Sequence, residues 1–470
     1  MDQVQTAGEF SVETCELISS KGITLDISSL LLEINLFEDI YSSAVQGSIV
    51  CVDSNSVISK TQIIGQDYIR LKLKTPGFDD DSEKTIDYSE NVLSVYKVGK
   101  RFDISENAEV FELSVISSEA ITNQRKRVSK SVVGTTTEIF EKLMKETINT
   151  KKKIYVEDSS GIRKYVIPNQ HPFSFFKQLL DDSVSQVDLS PLYLFFENTK
   201  GYHFRTLQSL YAEETKGEFN LGTPGELEDR GSKVKDVEKE YRTVLADEMK
   251  DSGDMLKNIV RGLLASKLRE IDFFSKTITE KDFNYFDEFK KFNRINDEEK
   301  ELDNPAYVDT PIDDEGNNIA EFPNSRIHLS VTSKDVETGG DAQHYNETTE
   351  SYSYAPNNHK ETFQYKVSKM IELANTLNRN MKLNGNTAMA CGQTIQFIKP
   401  DILNKEGGMI DEHESGKYLI TALRHIFNIV TNKHEVYVSC AKDSHPLKKE
   451  NEASLIEPKS TNGSVIHLSR

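Results

Sequence analysis

Four histidines lie in the last part of the chain and are the first candidates for a metal site: His413, His425, His434 and His445. Imidazole nitrogen binds zinc, but a closed zinc site needs ligands at spacings that allow a tetrahedron. The spacings here match no such pattern, and His434 follows directly on a turn sequence. We therefore interpret the four as strand-edge and surface histidines, and we predict no bound metal and no cofactor.

The consecutive residues Asp443, Ser444 and His445 are of the three types found in a hydrolase triad. Adjacent residues cannot form the geometry of a triad, in which the base must reach the nucleophile while a third group orients it. No phosphate-binding loop, GxSxG, HExxH or dinucleotide-binding glycine pattern occurs in the sequence. The sequence therefore predicts no catalytic residues and no enzymatic activity.

The segment 311–322 has the middle of a calcium-binding loop, with Asp313 and Glu315 at suitable positions. Its first position is Pro311 and its twelfth is Phe322, so the first ligand and the bidentate acid are both missing. We interpret this segment as a solvated turn.

Two basic clusters, 125–127 and 151–153, flank a predicted helix. The formal charge of −19 disfavours sequence-independent binding of nucleic acid, which needs an excess of cations, and it disfavours docking on anionic lipid. We interpret both clusters as solvated charges at a domain junction. Contact with another subunit and contact with nucleic acid are the alternatives.

The chain has 470 residues, enough for about three compact units, and its 37% hydrophobic content is that of a globular protein. No run approaches the roughly 20 apolar residues of a membrane helix. Residues 1–10 contain acids and no apolar core, unlike a signal peptide. The four cysteines form no CxxC pair, so we expect free thiols and synthesis in a reducing cytoplasm.

The elements that position these residues are mostly strands at the two ends of the chain. Five segments between 22 and 117 alternate in polarity and are separated by short turns, which predicts an antiparallel sheet or small barrel. Three further strands are predicted at 383–397, 417–427 and 434–440. Gly65-Gln66 and Gly392-Gln393 each open a strand, which is a short internal echo between the two blocks.

Helical patterns lie between the two β blocks. Thr135 and Glu138 form a capping box before a helix in a compact α+β insert. The apolar stripe of 252–274 predicts a long helix packed on a sheet, with a helix that binds a partner or a membrane surface as the alternative. A second amphipathic helix is predicted over 365–381.

These patterns predict a β-rich α+β chain of six segments: a first β domain (1–125), an inserted α+β domain (126–215), connecting strands with a long helix (216–295), an acidic, loop-rich peripheral segment (296–360), a second β domain with a helix (361–446) and a polar tail (447–470). Within 296–345 there are 13 acids and 3 bases, a charge of −10. Self-repulsion and low apolar content leave such a segment little to pack.

Three groups of short motifs occur in a fixed order along the chain, at 32–41 and 45–49, then at 165–169, 193–197 and 201–205, and last at 384–387, 415–421 and 424–425. They resemble the opening β block, the inserted domain and the closing β block of baseplate hub proteins from contractile-tailed bacteriophages. The acidic region 296–345 is the part least similar to that family.

The resemblance implies two tail-tube-like antiparallel β-barrel or sandwich domains in each chain. Three chains would form a homotrimeric ring that joins the sixfold tail tube to the central spike and lines the DNA channel. The implied partners are the spike protein, the tail tube protein or a tube-initiator ring, and the surrounding baseplate wedge proteins. Genomic DNA would pass through without specific binding. The implied location is the tail baseplate of the virion, assembled in the cytoplasm of the bacterial host.

Two other functions are considered. A hub or spike component of a secretion system or phage-like contractile injection particle would share this fold, although such spikes usually carry β-helical repeats, and none occurs here. A tail-associated cell-wall hydrolase belongs to another class, and it would need a cleft with perturbed carboxylates.

Overall fold

The computed structural model describes residues 7–53, 63–76, 84–105, 108–222, 237–273, 276–296, 305–332, 345–346, 351–352, 359–401 and 410–446. Strands dominate this part of the chain and helices lie between them, which confirms the β-rich α+β class. No helix in the described ranges is long and apolar enough to cross a membrane. Three buried apolar clusters correspond to a first β unit, an α+β insert and a second β unit.

The first β unit is built from strands whose alternate residues, such as Leu36, Ile49 and Leu113, fill one core. Its elements are β1 (Ser11–Ile18), β2 (Thr24–Asp26), a 3-10 turn (Ser28–Leu30), β3 (Leu31–Asp39), β4 (Gln46–Asp53), β5 (Tyr68–Lys74), β6 (Thr85–Asp87), β7 (Leu93–Ser105) and β8 (Ala108–Ser117). The strands neighbour each other in the order β2, β1, β5, β7, β8, β4, β3, with β6 paired to β5.

The insert is held together mainly by aromatic packing. Its elements are α1 (Ser118–Arg125), β9 (Val128–Gly134), α2 (Thr136–Leu143), a π turn (Met144–Ile148), β10 (Ile154–Val156), β11 (Arg163–Gln170), α3 (Pro172–Asp182), β12 (Tyr193–Asn198), β13 (Gly201–Thr206) and α4 (Leu207–Tyr211). The predicted capping box of Thr135 and Glu138 is confirmed at the start of α2. Phe140 meets Phe176 and Phe195 edge to face, with ring centroids 4.8 and 5.4 Å apart.

The second β unit contains a closed barrel of six strands in the order β14, β15, β21, β24, β23, β22. The elements of this unit are β14 (Glu218–Leu221), α5 (Val237–Tyr241), β15 (Thr243–Ser252), α6 (Met255–Arg261), β16 (Ala265–Asp272), β17 (Thr277–Asn284), α7 (Tyr285–Phe289), a 3-10 turn (Pro323–Ser325), β18 (Ile327–Thr332), β19 (Tyr345–Asn346), β20 (Ser351–Tyr352), α8 (His359–Asn375), β21 (Leu377–Asn384), β22 (Thr394–Ile398), β23 (Gly416–Asn428) and β24 (Lys433–Lys442). β14 pairs in parallel with both of its neighbours, while the other pairs of the barrel are antiparallel. The barrel therefore takes β14 and β15 from the region predicted to connect the domains.

The prediction of a long helix over 252–274 is wrong. Asp254 caps the short helix α6, which ends at Gly262 in the left-handed conformation, and the strand β16 follows. The apolar stripe is thereby divided, because Leu256 is exposed while Leu268 is fully buried. The helix predicted over 365–381 exists but ends at Asn375, since β21 begins at Leu377.

Strand β23 belongs to both β units. Its first residues pair with β22 in the barrel, whereas Ala422 to Asn428 pair with β3 of the first unit. Strand β24 lies along its other edge, and the register shifts between Ile420 and Ala422. The carbonyl of Thr421 at this bulge accepts a hydrogen bond of 3.0 Å from the backbone N–H of Ile40. A bulge bends a strand, and here it leads the same strand from the barrel into the first sheet.

The echo between Gly65 and Gly392 extends to the backbone, because the two residues have φ angles of +82° and +84°. Such angles favour glycine. Gly392 also lies under the ring of Phe196, where an added Cβ would be 2.8 Å from Cζ. This glycine therefore fixes the contact between barrel and insert.

We expect Gly392→Ala to destabilise the protein by about 3 kcal/mol, the sum of left-handed strain and overpacking against Phe196. The matched control is Gly22→Ala, which has a similar φ of +81° and nothing within 4 Å of the added Cβ. It should cost only about 1–2 kcal/mol. Urea unfolding measures both losses, and equal losses would contradict the packing role of Gly392.

Candidate assembly surface

The outer face of the sheet shared by the two units carries a row of side chains that crosses six neighbouring strands. Strand register aligns Gln46, Phe37, Arg424, Tyr437, Lys382 and Ala246. Since successive strand residues point to opposite faces, these residues face outward while their neighbours fill the cores. The row belongs to both β units, so the face is continuous across their boundary.

The cations of this row are held flat against the sheet. The Arg424 guanidinium lies 5.3 Å from the Phe37 ring centroid and donates to Asn35 Oδ1 at 2.8 Å. Lys382 Nζ lies 5.3 Å from the Tyr437 ring centroid and forms an ion pair of 2.9 Å with Glu435. Lys382 is therefore paired with a carboxylate within the sheet, and Arg424 is held by an aromatic ring and a side-chain amide.

A depression of about 660 Å³ lies on the same face. The carboxylates of Asp39 and Glu248 line it together with Lys382 and Arg424, whereas Asp247 points into the barrel and pairs with the buried Arg379 at 2.7 Å. Together with Glu435, which pairs with Lys382, they give this face three carboxylates against two cations, so the surface is polar and weakly acidic. Such a surface offers no cluster of free cations that would hold phosphate.

Glu38 points to the other side of β3 and ties three parts of the chain together. Its carboxylate accepts hydrogen bonds from the backbone N–H of Thr199 in the insert, at 2.8 Å, and of Cys391 in the barrel, at 2.7 Å. Burial raises the pKa of Glu38 while these donors lower it. A buried carboxylate with two donors positions the insert behind the shared sheet.

The interpretation of 151–153 as solvated charges is wrong for Lys152, which is buried. Its Nζ forms buried ion pairs with Glu119, at 2.7 Å, and with Glu197, at 2.6 Å. Glu197 also accepts from the backbone N–H of Val45, at 3.0 Å, so the cluster joins the insert to the first β unit. Burial opposes the charged ammonium, but the two carboxylates raise the pKa of Lys152. Sequence inspection missed this cluster because its members are far apart along the chain.

The other cluster, 125–127, lies on the insert. The Arg127 guanidinium donates to the carbonyl of Asn169 at 2.9 Å, and Lys126 Nζ donates to the carbonyl of Thr147. These cations therefore stabilise the start of the insert.

Asp443 belongs to a buried ionic cluster and not to a triad. Its Oδ2 lies 3.1 Å from Lys369 Nζ, which also pairs with Glu372 at 2.6 Å. Tyr285 donates its hydroxyl to Glu372 at 2.5 Å. Ser444 donates to Asp443 Oδ1 at 3.1 Å. The cluster anchors α8 on the barrel.

Two of the four histidines are deeply buried, which corrects their interpretation as strand-edge and surface residues. His425 Nδ1 and His434 Nε2 are 3.0 Å apart, and the backbone N–H of His434 donates to the carbonyl of Gly8 at 2.7 Å. His413 and His445 stack at 4.1 Å between ring centroids, separately from that pair. The described residues contain no group of three or more histidine, cysteine, aspartate or glutamate side chains that could hold a metal ion.

The loop 311–322 contains an exposed turn at 311–316 that is organised by its own side chains, while Ile319 and Ala320 are buried. Asp313 Oδ1 accepts from the backbone N–H of Asn317 at 2.8 Å and of Glu315 at 3.1 Å. The Asn317 side-chain amide, which donates to Asp313 Oδ2 at 2.9 Å, and these backbone donors lower the pKa of Asp313. The carboxylate is thus used within the turn.

The cysteines are free and buried, in agreement with the expected free thiols: Cys15, Cys51, Cys391 and Cys440. Burial raises the pKa of the Cys51 thiol to about 12. A thiol in this state is a packing residue.

No family model matches the chain, and no curated protein matches it. Similar solved structures include phage tail, baseplate and type VI spike-related proteins. A tail protein from Neisseria meningitidis MC58 is 8% identical, with a TM-score of 0.48 over 93% of this chain and 97% of that one. The 43 kDa tail protein of prophage MuSo2 from Shewanella oneidensis is 10% identical, with a TM-score of 0.49 over 91% and 98%.

A type VI secretion component from E. coli is 8% identical, with a TM-score of 0.39 over 93% of this chain and 77% of that one. The kinds of protein found agree with the resemblance to baseplate hub proteins.

We expect Lys152→Met to destabilise the protein by about 3–5 kcal/mol, because it leaves Glu119 and Glu197 buried without their cation. The matched control is Lys151→Met, one residue earlier in the same basic cluster and exposed. Its effect should stay within about 0.5 kcal/mol. Chemical unfolding of both variants tests the buried cluster, and similar small effects would show that Lys152 is solvated.

Acid should weaken the fold through the paired histidines. Burial, followed by the nearby Lys200 charge, lowers the pKa of His425 to about 3, and burial also lowers the pKa of His434. A histidine in the unfolded chain has a pKa of about 6.5, so below that pH the unfolded chain binds more protons than the folded one. The stability that the two neutral histidines contribute is therefore complete above pH 6.5 and is lost as the pH falls towards 3. At pH 5 the loss from His425 alone is about 2 kcal/mol.

Urea unfolding at pH 7 and pH 5 measures this loss in the wild type and in His425→Leu. The pH-dependent loss should be smaller in the variant, which keeps every other titrating group. An identical pH dependence in the two proteins would mean that His425 does not contribute.

Proposed function

We propose that the chain is the structural hub of a contractile-tail baseplate in a phage virion. Three copies form a ring that joins the sixfold tail tube to the central spike and lines the channel for DNA. The observation that carries the proposal is the continuous sheet formed where β3 pairs with β23. It fixes two β units side by side in one rigid body, so three chains present six units around one axis.

The shared outer face supports its assignment as the channel lining. Lys382 pairs with Glu435, and Arg424 lies against the Phe37 ring. The outward carboxylates of Asp39, Glu248 and Glu435 outnumber these two cations. The whole chain carries a charge of −19. A weakly acidic lining repels phosphate slightly along its length and lets DNA pass without specific binding.

The buried clusters support a structural role without catalysis. Lys152, Lys369 and Glu38 use their charges to join elements of the fold, in contacts that are internally satisfied. The partners of the ring are the spike protein, the tail tube protein or tube-initiator ring, and the baseplate wedge proteins. The ring assembles in the cytoplasm of the bacterial host before it becomes part of the virion tail.

Electron microscopy of the purified protein, concentrated and diluted, tests the proposal. We expect a trimeric ring in which six β units alternate around the axis, with dissociation on dilution because assembly follows mass action. The proposal fails if concentrated protein forms no ring. It also fails if the first and second β units do not superpose as tube-like domains or do not alternate.

A further inference from the structure

A three-stranded sheet on the second β unit is covered on one side only. Its strand order is β17, β16, β18, and α8 packs on the inner side. Gln364 Nε2 of α8 donates to the carbonyl of Ser266 at 3.0 Å, and Ser368 Oγ donates to the carbonyl of Leu263 at 2.7 Å. These buried contacts fix which face of the sheet points into the protein.

The outer face carries three cross-strand rows, Asp282–Lys267–Ile327, Glu280–Arg269–Leu329 and Ile278–Ile271–Val331. Leu329, Val331 and Ile278 are 73%, 64% and 66% exposed. The β18 column and the third row thus form a connected aliphatic surface, which we call the β18 face. Exposed apolar surfaces of this kind mark interaction sites.

The charges of the β18 face cancel. Lys267 pairs with Asp282 at 2.8 Å and with Glu280 at 3.3 Å, and Arg269 Nε pairs with Glu280 at 2.7 Å. A cationic partner would find no net charge to attract it here. A neutral apolar face on a chain of charge −19 is instead suited to a partner as acidic as the chain itself, since contact adds no local repulsion.

We propose that the β18 face packs against a second copy of this chain and forms part of the subunit contact. This inference rests on the proposed ring and identifies a surface that builds it. Among the described strands, β18 pairs only with β16, so its outer edge is also open to the neighbouring copy. Packing would bury the β18 column and leave the paired charges at the rim.

Leu329→Glu tests this contact in the full chain. It places a carboxylate beside Arg269 at the centre of the β18 face and should weaken self-association by about tenfold or more, from lost apolar burial alone. Sedimentation velocity over a wide concentration range measures the association constant. Val331→Glu provides a second substitution in the same column, and circular dichroism with urea unfolding confirms that both variants fold.

The matched control is Val187→Glu, which adds the same charge at an apolar side chain that is 86% exposed on the insert. It should leave association unchanged. If the wild type forms trimers and Leu329→Glu forms them equally well, the β18 face is not the contact while the proposed ring stands. If the folded wild type stays monomeric at every concentration, both the ring and this contact are wrong.

Discussion

The pairing of β3 with β23 is the constraint on which the rest of the structure depends. Because β23 pairs with β22 before its bulge and with β3 after it, one strand of a continuous sheet belongs to both β units. Its side chains follow the same division, since Ile420 lies in the core of the barrel and Phe427 in the core of the first β unit. Neither core could shift relative to the other without breaking this ladder.

Buried charged side chains hold the insert and α8 in place against the two β units. Lys152 joins the insert to the first unit, Glu38 joins β3 to the insert and barrel, and Lys369 joins α8 to the barrel. Each carries a desolvation cost that only correct geometry offsets, so each disfavours alternative placements of its element more than it stabilises the fold. Apolar contacts alone would tolerate small slips that these buried polar contacts do not.

Much of the fold follows from local sequence patterns, and the failures have physical causes. The capping box at Thr135 depends on neighbouring residues and could be predicted. The stripe of 252–274 fits a helix, but Leu264 and Leu268 also fit the two-residue period of a strand. Gly262 was the signal that the helix ends and a strand follows. Lys152 had no local signal, since its partners Glu119 and Glu197 lie 33 and 45 residues away. The paired histidines likewise become neighbours only through the β23–β24 ladder.

The joint between the two β units also has a mechanical consequence. It is a ladder of seven residue pairs, from Ala422 with Asp39 to Asn428 with Glu33, and not a flexible linker. A pull along the strands would load these pairs together in shear, whereas a pull across them would open them one at a time. The chain should therefore transmit axial force between its two halves with little deformation. Twisting across the joint would deform it more easily.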